Sequence, residues 1–296
     1  MMARLAQVAT ARQAQLQDGR RLGFAQFGDA DGKPVIAFHD LWGNRNMRHP
    51  DDAILARLGI RLIGVDRPGY GMSTRNHGRS LMDVVDDVML LSKALKLERF
   101  AVLGFSAGGP YALACAYRFP QIATRCAVVA PLPPMDHAQG FRALHPLYGR
   151  LFQMAGGNET FFRLLMRGFI WFDGQRSADQ YIREIGGLLS PADQQVLSNI
   201  NLFNNRREIW EEIRSGGSDN LVDEMVALTK PWGFRLQSIR IPVDIWWGEA
   251  DTFCAPGVGE RMAGMIPDAK FRLEPQAGHF MLYSHWQCIL QQLVAN

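Results

Sequence analysis

The chain has 296 residues, 47% of them hydrophobic and 21% charged, with a formal net charge of +3. That length and composition allow one substantial α/β core plus an insertion. Like charges do not run together, Arg20-Arg21 and Arg206-Arg207 being isolated pairs, which argues against a nucleic-acid-binding surface. No apolar stretch approaches the length of a membrane span, and residues 1–17 are too thinly apolar for a signal-peptide core. The four cysteines, Cys115, Cys126, Cys254 and Cys288, are scattered, with no metal-ligand spacing and no sign of a disulfide framework. A soluble, cytoplasmic protein is expected, with neither membrane nor nucleic acid as partner.

In chain order, Asp18-Gly19 is a two-residue hairpin signal joining a strand near Gln13–Gln17 to one near Arg21–Phe27. A short buried strand follows at Val35–Phe38, then a helix around Asp52–Arg57 and a strand at Ile60–Val65. Ser80-Leu81-Met82-Asp83 has the form of a capping box. Behind it Leu81, Val84, Val85, Val88, Leu91 and Leu95 recur at helical spacing, with Lys93 and Lys96 suiting the far end of the helix dipole. Arg99–Leu103 is the expected central strand, Tyr111–Phe119 a helix and Arg125–Ala130 the next strand. Strands alternating with helices imply a mostly parallel sheet, and the opening hairpin implies an antiparallel edge.

The texture changes at Pro131-Leu132-Pro133-Pro134. From there to about Pro231 strand signals vanish, and Gly156-Gly157, Gly186-Gly187 and Gly216-Gly217 punctuate a helical pattern. Strand signals return at Pro242–Trp247 and Ala269–Leu273, and a last helix begins near Ser284. The expected division is an α/β core of residues 1–131 and 232–296 and an inserted helical segment of residues 132–231. Aromatics of that insertion include Phe141, Tyr148, Phe152, Phe161, Phe162, Trp171, Phe172, Phe203 and Trp210. They serve either the insertion's own core or an apolar substrate pocket.

The chemistry concentrates at Gly104-Phe105-Ser106-Ala107-Gly108. A strand that turns sharply into a helix crowds the backbone, and glycines at 104 and 108 relieve it. The turn pushes the serine out at the end of the sheet and aims the free N–H groups of the helix start at whatever it attacks. Two partners lie downstream. Asp251 follows the strand ending at Trp247, where a carboxylate reaches across the sheet edge to a histidine or, alternatively, caps a helix starting near Gly257. His279 sits in a loop after the last strand, placed to be general base toward Ser106 and general acid toward a leaving group. His285 is its nearest rival.

These residues, in this order, resemble the α/β-hydrolase fold family, with Ser106, Asp251 and His279 matching its order of nucleophile, acid and base. Phe38-His39-Asp40-Leu41-Trp42-Gly43 looks like that family's oxyanion loop. Asp66-Arg67-Pro68-Gly69-Tyr70-Gly71-Met72-Ser73 looks like its D-x-P-G-x-G-x-S loop. The resemblance covers nearly the whole chain outside the middle third. It implies a mostly parallel twisted sheet with helices on both faces, and a helical cap over the serine. It gives the backbone N–H groups of Leu41 and Ala107 the role of holding an oxyanion, and it calls for no metal or organic cofactor. Asp40 stands where the family has glycine. A carboxylate beside a developing negative charge is unfavourable unless it points away or is paired, and Arg45 or Arg48 are candidates for the pairing. Some similar enzymes place the acid after the strand that here ends at Ala130, which makes Asp136 a rival of Asp251.

The resemblance implies a serine hydrolase that cleaves a carboxylic ester, thioester or lactone of a modest-sized, largely apolar small molecule through an acyl-enzyme. Proteins of this fold also cleave C–C bonds, eliminate cyanide or carry out perhydrolysis with the same triad, and some act as ligand receptors. Both alternatives stay open.

Overall fold

The computed structural model describes residues 10–136, 138–173, 186–199, 211–212 and 217–295. Strands β1 (Thr10–Gln15) and β2 (Arg21–Gly28) form the opening hairpin, with Gln15 opposite Arg21. Its turn is one residue longer than Asp18-Gly19 alone suggests. Leu16 N–H donates to Arg20 O at 2.8 Å, which leaves the loop Gln17-Asp18-Gly19, with Gly19 at φ +87°. A three-residue loop ending on a left-handed glycine preserves the strand twist as a two-residue turn would, and β1 stops at Gln15 rather than Gln17.

Six further strands complete the sheet: β3 (Lys33–Phe38), β4 (Ile60–Val65), β5 (Phe100–Phe105), β6 (Ala123–Val129), β7 (Val243–Gly248) and β8 (Ala269–Glu274). The order is β1-β2-β4-β3-β5-β6-β7-β8. The β1–β2 and β2–β4 pairs are antiparallel and the others parallel, so the expected antiparallel edge and parallel body are both present.

The helices in chain order are α1 (Ala53–Arg57), α2 (Leu81–Ala94), α3 (Gly109–Arg118), α4 (Ala138–Arg142), α5 (Pro146–Gly157) and α6 (Glu159–Asp173). There follow α7 (Pro191–Leu197), α8 (Ser218–Thr229), α9 (Gly257–Met265), α10 (Met281–Ser284) and α11 (Trp286–Leu293). None is long and apolar enough to cross a membrane.

The period of two along each strand splits the core in two. Ile36, Phe38, Val102, Val128 and Ile245 pack with α2, α3 and α9 on one face of the sheet. Val35, Ala37, Leu103, Val129 and Trp246 pack with α1 and α11 on the other. Each fully buried aliphatic or aromatic side chain contributes about 1.5–3 kcal/mol. Both faces are therefore apolar, as a parallel sheet requires. The capping box at α2 closes on itself: Ser80 Oγ accepts from Asp83 N, and Ser80 N–H donates to Asp83 Oδ2 at 2.8 Å.

β3 and β5 are neighbours, but the chain leaves them in opposite directions, to β4 on one side and β6 on the other. The carboxyl ends at such a switch point frame a crevice where α/β sheets bind ligands. Between β6 and β7 the described residues form helices α4 to α8 and no strand. This segment meets the same carboxyl edge, His145 N–H donating to Phe253 O at 2.7 Å.

Candidate active site

β5 runs directly into a 3₁₀ turn, Ser106–Gly108, and then into α3. Ser106 is held at φ +52°, a conformation that costs a residue with a Cβ about 1–3 kcal/mol. Its glycine neighbours make the turn possible. A Cβ at 104 would lie 2.6 Å from Gly108 O, and one at 108 would collide with Phe38 O and His39 O. Gly108 thus seats the serine turn against the end of β3. Ala107, buried, lies in the first turn of the helical run, where N–H groups have no intrahelical acceptor.

The loop after β3 carries Leu41. Arg67 donates to His39 O and, at 3.0 Å, to Asp40 O, while Tyr70 OH donates to Leu41 O at 3.1 Å. In a trans peptide the N–H points opposite to the C=O. Holding Asp40 O therefore turns the Leu41 N–H away from Arg67. Arg67 is held in turn by Glu224 on α8, its Nε 2.7 Å from Oε1. Glu224 also pairs with Arg79 and accepts from Tyr111 OH at 3.2 Å, and Glu224 and its three partners are all buried. Asp66 accepts from Arg45 N, Arg45 Nη1 and Met72 N, and Ser73 Oγ links Gly23 N to Asp66 O. The D-x-P-G-x-G-x-S segment is thus a scaffold beneath the Leu41 loop.

Neither expected partner of Asp40 goes to it. Arg45 bonds Asp66 and Glu212, each at 2.9 Å, and Arg48 bonds Asp52 at 2.6 Å. Asp66 and Asp52 are the acids within reach of those two guanidinium groups. The buried Asp40 carboxylate bears instead on Tyr148 and His279. Burial, with a smaller push from Asp40, lifts the Tyr148 phenol to about 12.

Asp251 follows β7 and His279 follows the adjacent β8. His279 Nδ1 lies 2.8 Å from Asp251 Oδ2, and both side chains are buried. Asp251 Oδ1 accepts from Phe253 N at 2.8 Å and Cys254 N at 3.2 Å, so it orders its own turn and not the start of α9, whose N-cap is Pro256. The imidazole packs against Phe253 and Phe105, ring centroids 4.8 and 5.2 Å apart, and Phe105 immediately precedes Ser106. Among the described residues the Ser106 hydroxyl makes no hydrogen bond; bonds of this kind often tighten only with substrate in place. Burial works to lower the His279 pKa. Asp251, by charge and hydrogen bond, and then Asp193 and Asp40 outweigh it and raise it above its ordinary value.

Two residues beside this pair went unseen in the sequence. Asp193 on α7 accepts from the backbone N–H of His279 at 3.0 Å and of Phe280 at 2.7 Å. Glu224 supports the Leu41 loop through Arg67. The only sequence signal at Asp193 is Ser190-Pro191-Ala192-Asp193, which has the form of a helix cap. The rival acid Asp136 is exposed and lines a groove with Gln139, Arg235 and Arg261. His285 lies beside Glu274, 3.7 Å away, at the start of α11.

Of the insertion's aromatics, Tyr148 reaches the site, 5.2 Å from Phe253. Phe152 and Phe162 are core, Phe161 and Trp171 are exposed, and Phe141 is half-buried against the core. Phe203, Trp210 and the side chain of Phe172 lie outside the described residues. His77, Glu159 and Asp223 bring possible metal-ligand atoms within 4.8 Å of one another. Arg163 already bonds both carboxylates and Arg75 bonds Asp223, so this is an ion-pair network tying α6 to α8.

The chain is 26% identical over 275 residues to a 2-hydroxy-6-oxononadienedioate/2-hydroxy-6-oxononatrienedioate hydrolase of Cupriavidus pinatubonensis, a match covering 86% of this chain and 80% of that one. Its fold is similar to an enol-lactonase from Burkholderia xenovorans (TM-score 0.71, 17% identity, covering 96% and 100% of the two chains). It is also similar to a thermophilic esterase from Thermogutta terrifontis (TM-score 0.70, 20% identity, 96% of each chain). Residues 35–287 match the profile of the alpha/beta hydrolase family, and the chain belongs to that family.

Proposed function

We propose that this α/β hydrolase cleaves a carboxylic ester, thioester or lactone of a modest-sized, largely apolar small molecule, with Ser106 as nucleophile, His279 as base and Asp251 as the acid that orients it. The observation that carries this reading is the buried His279–Asp251 pair packed against a serine turn held at positive φ. His279 Nε2 takes the Ser106 proton as Oγ attacks the carbonyl carbon. The N–H groups of Leu41 and Ala107 receive the resulting oxyanion, a role in which one donor is typically worth about a hundred-fold to a thousand-fold in rate. Collapse expels the leaving group with the proton from His279, and water, deprotonated by the same imidazole, releases the acid and restores Ser106. The sequence of steps calls for no metal or organic cofactor.

Residues 132–231 act in this reading as a cap over the serine, with Tyr148 among the side chains that shape its apolar side. A cytoplasmic setting accords with four cysteines that are all free thiols. The likeness to a hydrolase of 2-hydroxy-6-oxononadienedioate favours a second reading, hydrolysis of a C–C bond beside a carbonyl on the same three residues.

Fluorophosphonate labelling of wild type and Ser106→Ala, followed by a panel of esters, thioesters, lactones and dienedioate ketones, tests both. Label on wild type alone, with a burst on an activated ester, supports the acyl-enzyme route. Label with turnover only of the ketones moves the assignment to the second reading. An unlabelled wild type overturns Ser106 as nucleophile.

A further inference from the structure

We propose that Asp193 is a positioning residue for His279: it fixes the backbone of the loop carrying the imidazole and places a further buried negative charge behind it. This rests on the reading of His279 as the base. Asp193 is 0% exposed, and its carboxylate is fully engaged. Oδ1 accepts from Phe280 N at 2.7 Å, and Oδ2 accepts from His279 N at 3.0 Å and from Ser190 Oγ at 2.9 Å.

The local pattern does not require this. At α2 the Ser-x-x-Asp box closes on itself, Asp83 returning to Ser80 N–H. At α7 Ser190 Oγ likewise accepts from Asp193 N, at 3.2 Å, but the Asp193 carboxylate reaches to backbone 86 and 87 positions away. The contact is close enough to dictate sequence on the other side: a Cβ at 278 would run into the Asp193 carboxylate, so the residue before His279 is glycine. The same stretch holds the acid's loop as well, Thr252 Oγ1 donating to Leu188 O at 2.8 Å. Leu189 is buried in the cluster that contains Ala277 and Phe280. The segment Leu188–Asp193 thus bridges the loops of Asp251 and His279.

A carboxylate suits this place for two reasons. Two adjacent N–H groups need two acceptor oxygens, whereas an amide side chain offers one oxygen and a donor that faces the second N–H. A buried negative charge also favours the imidazolium over the neutral ring. Three carboxylates bear on His279 from different elements: Asp251 after β7, Asp40 after β3 and Asp193 on α7. Asp251 touches the ring, and Asp193 acts through the backbone.

The test uses the full chain with Asp193→Asn. kcat and KM on an activated ester are measured against pH per fluorophosphonate-titrated site, and the His279 midpoint is read directly by NMR of carbon-13-labelled histidine. Expected are a fall in kcat of about ten-fold to a hundred-fold with KM little changed, and a shift of both the acidic limb and the NMR midpoint to lower pH. Asp193→Glu should return the midpoint toward wild type. Should Asp193→Asn not fold, Asp193→Ser, which also removes the charge while keeping one acceptor oxygen, should move the midpoint in the same direction. A purely structural role would lower the melting temperature and the labelled fraction and leave the midpoint in place, and that result overturns the proposal. The two hypotheses separate cleanly: an unlabelled wild type defeats Ser106 as nucleophile, while a labelled wild type whose His279 midpoint ignores position 193 defeats only this inference.

Discussion

The serine and the histidine of the candidate site are supported in opposite ways. Ser106 is held by its immediate neighbours: Gly104 and Gly108 let one strand turn into one helix, and the strained φ follows from that crowding. His279 is held by residues 28 and 86 positions away, Asp251 and Asp193, on segments that meet only in the folded chain. A local turn tolerates change elsewhere but no added Cβ within it. A site assembled from three segments responds to alterations far along the chain.

The sharpest way to break this comparison is Asp251→Asn. If the acid orients the imidazole, kcat should fall by about 10⁴-fold with the fold intact by circular dichroism and melting temperature. The wild-type pH profile carries the companion expectation. With His279 as the proposed base, activity needs it neutral, and its pKa is raised, so the acidic limb of kcat/KM should lie above the ordinary histidine value of about 6.5. Losing the Asp251 charge should move that limb down.

Glu224→Gln tests the other long-range support. It leaves Arg67 and Arg79 as buried cations without their carboxylate, a change worth about 3–5 kcal/mol of stability. That is readable as a denaturant midpoint shift, and ester turnover should weaken as the Leu41 loop loosens. Gly108→Ala probes the local side. The new methyl group meets backbone carbonyls that cannot rotate away, so a loss of about 1–3 kcal/mol is expected in the same measurement. The smallest effect belongs to Asp83→Ala. It opens the exposed capping box of α2 and should cost about 0.3–1 kcal/mol with kcat per labelled site unchanged. Set beside Asp193→Asn, it compares two acids in the same four-residue pattern, one ending its reach locally and one at His279.

Much of the fold was legible because its causes are short-range. The continuous apolar runs of β3 to β7, the α2 capping box and the Gly-x-Ser-x-Gly turn each reflect constraints within a few residues. The strand positions are accordingly right to within a residue or two at most ends. The hairpin loop was read one residue too short, because a left-handed glycine serves a two-residue and a three-residue turn alike. Nearness in sequence makes Arg45 and Arg48 only candidate partners for Asp40. Those guanidinium groups found Asp66, Glu212 and Asp52 instead, partners that packing chose.

The residue order therefore determined by itself where the sheet's strands lie, which serine stands at a strained turn, and which acid and histidine follow at strand ends. Only the tertiary structure decided that Asp193 closes on the His279 loop and that Glu224, through Arg67, aims the Leu41 peptide. The physical reason is that a carboxylate three residues into a helix has the same local signature wherever its oxygens go. Its partner is set by which backbone N–H groups the docking of distant elements leaves buried and in need of an acceptor.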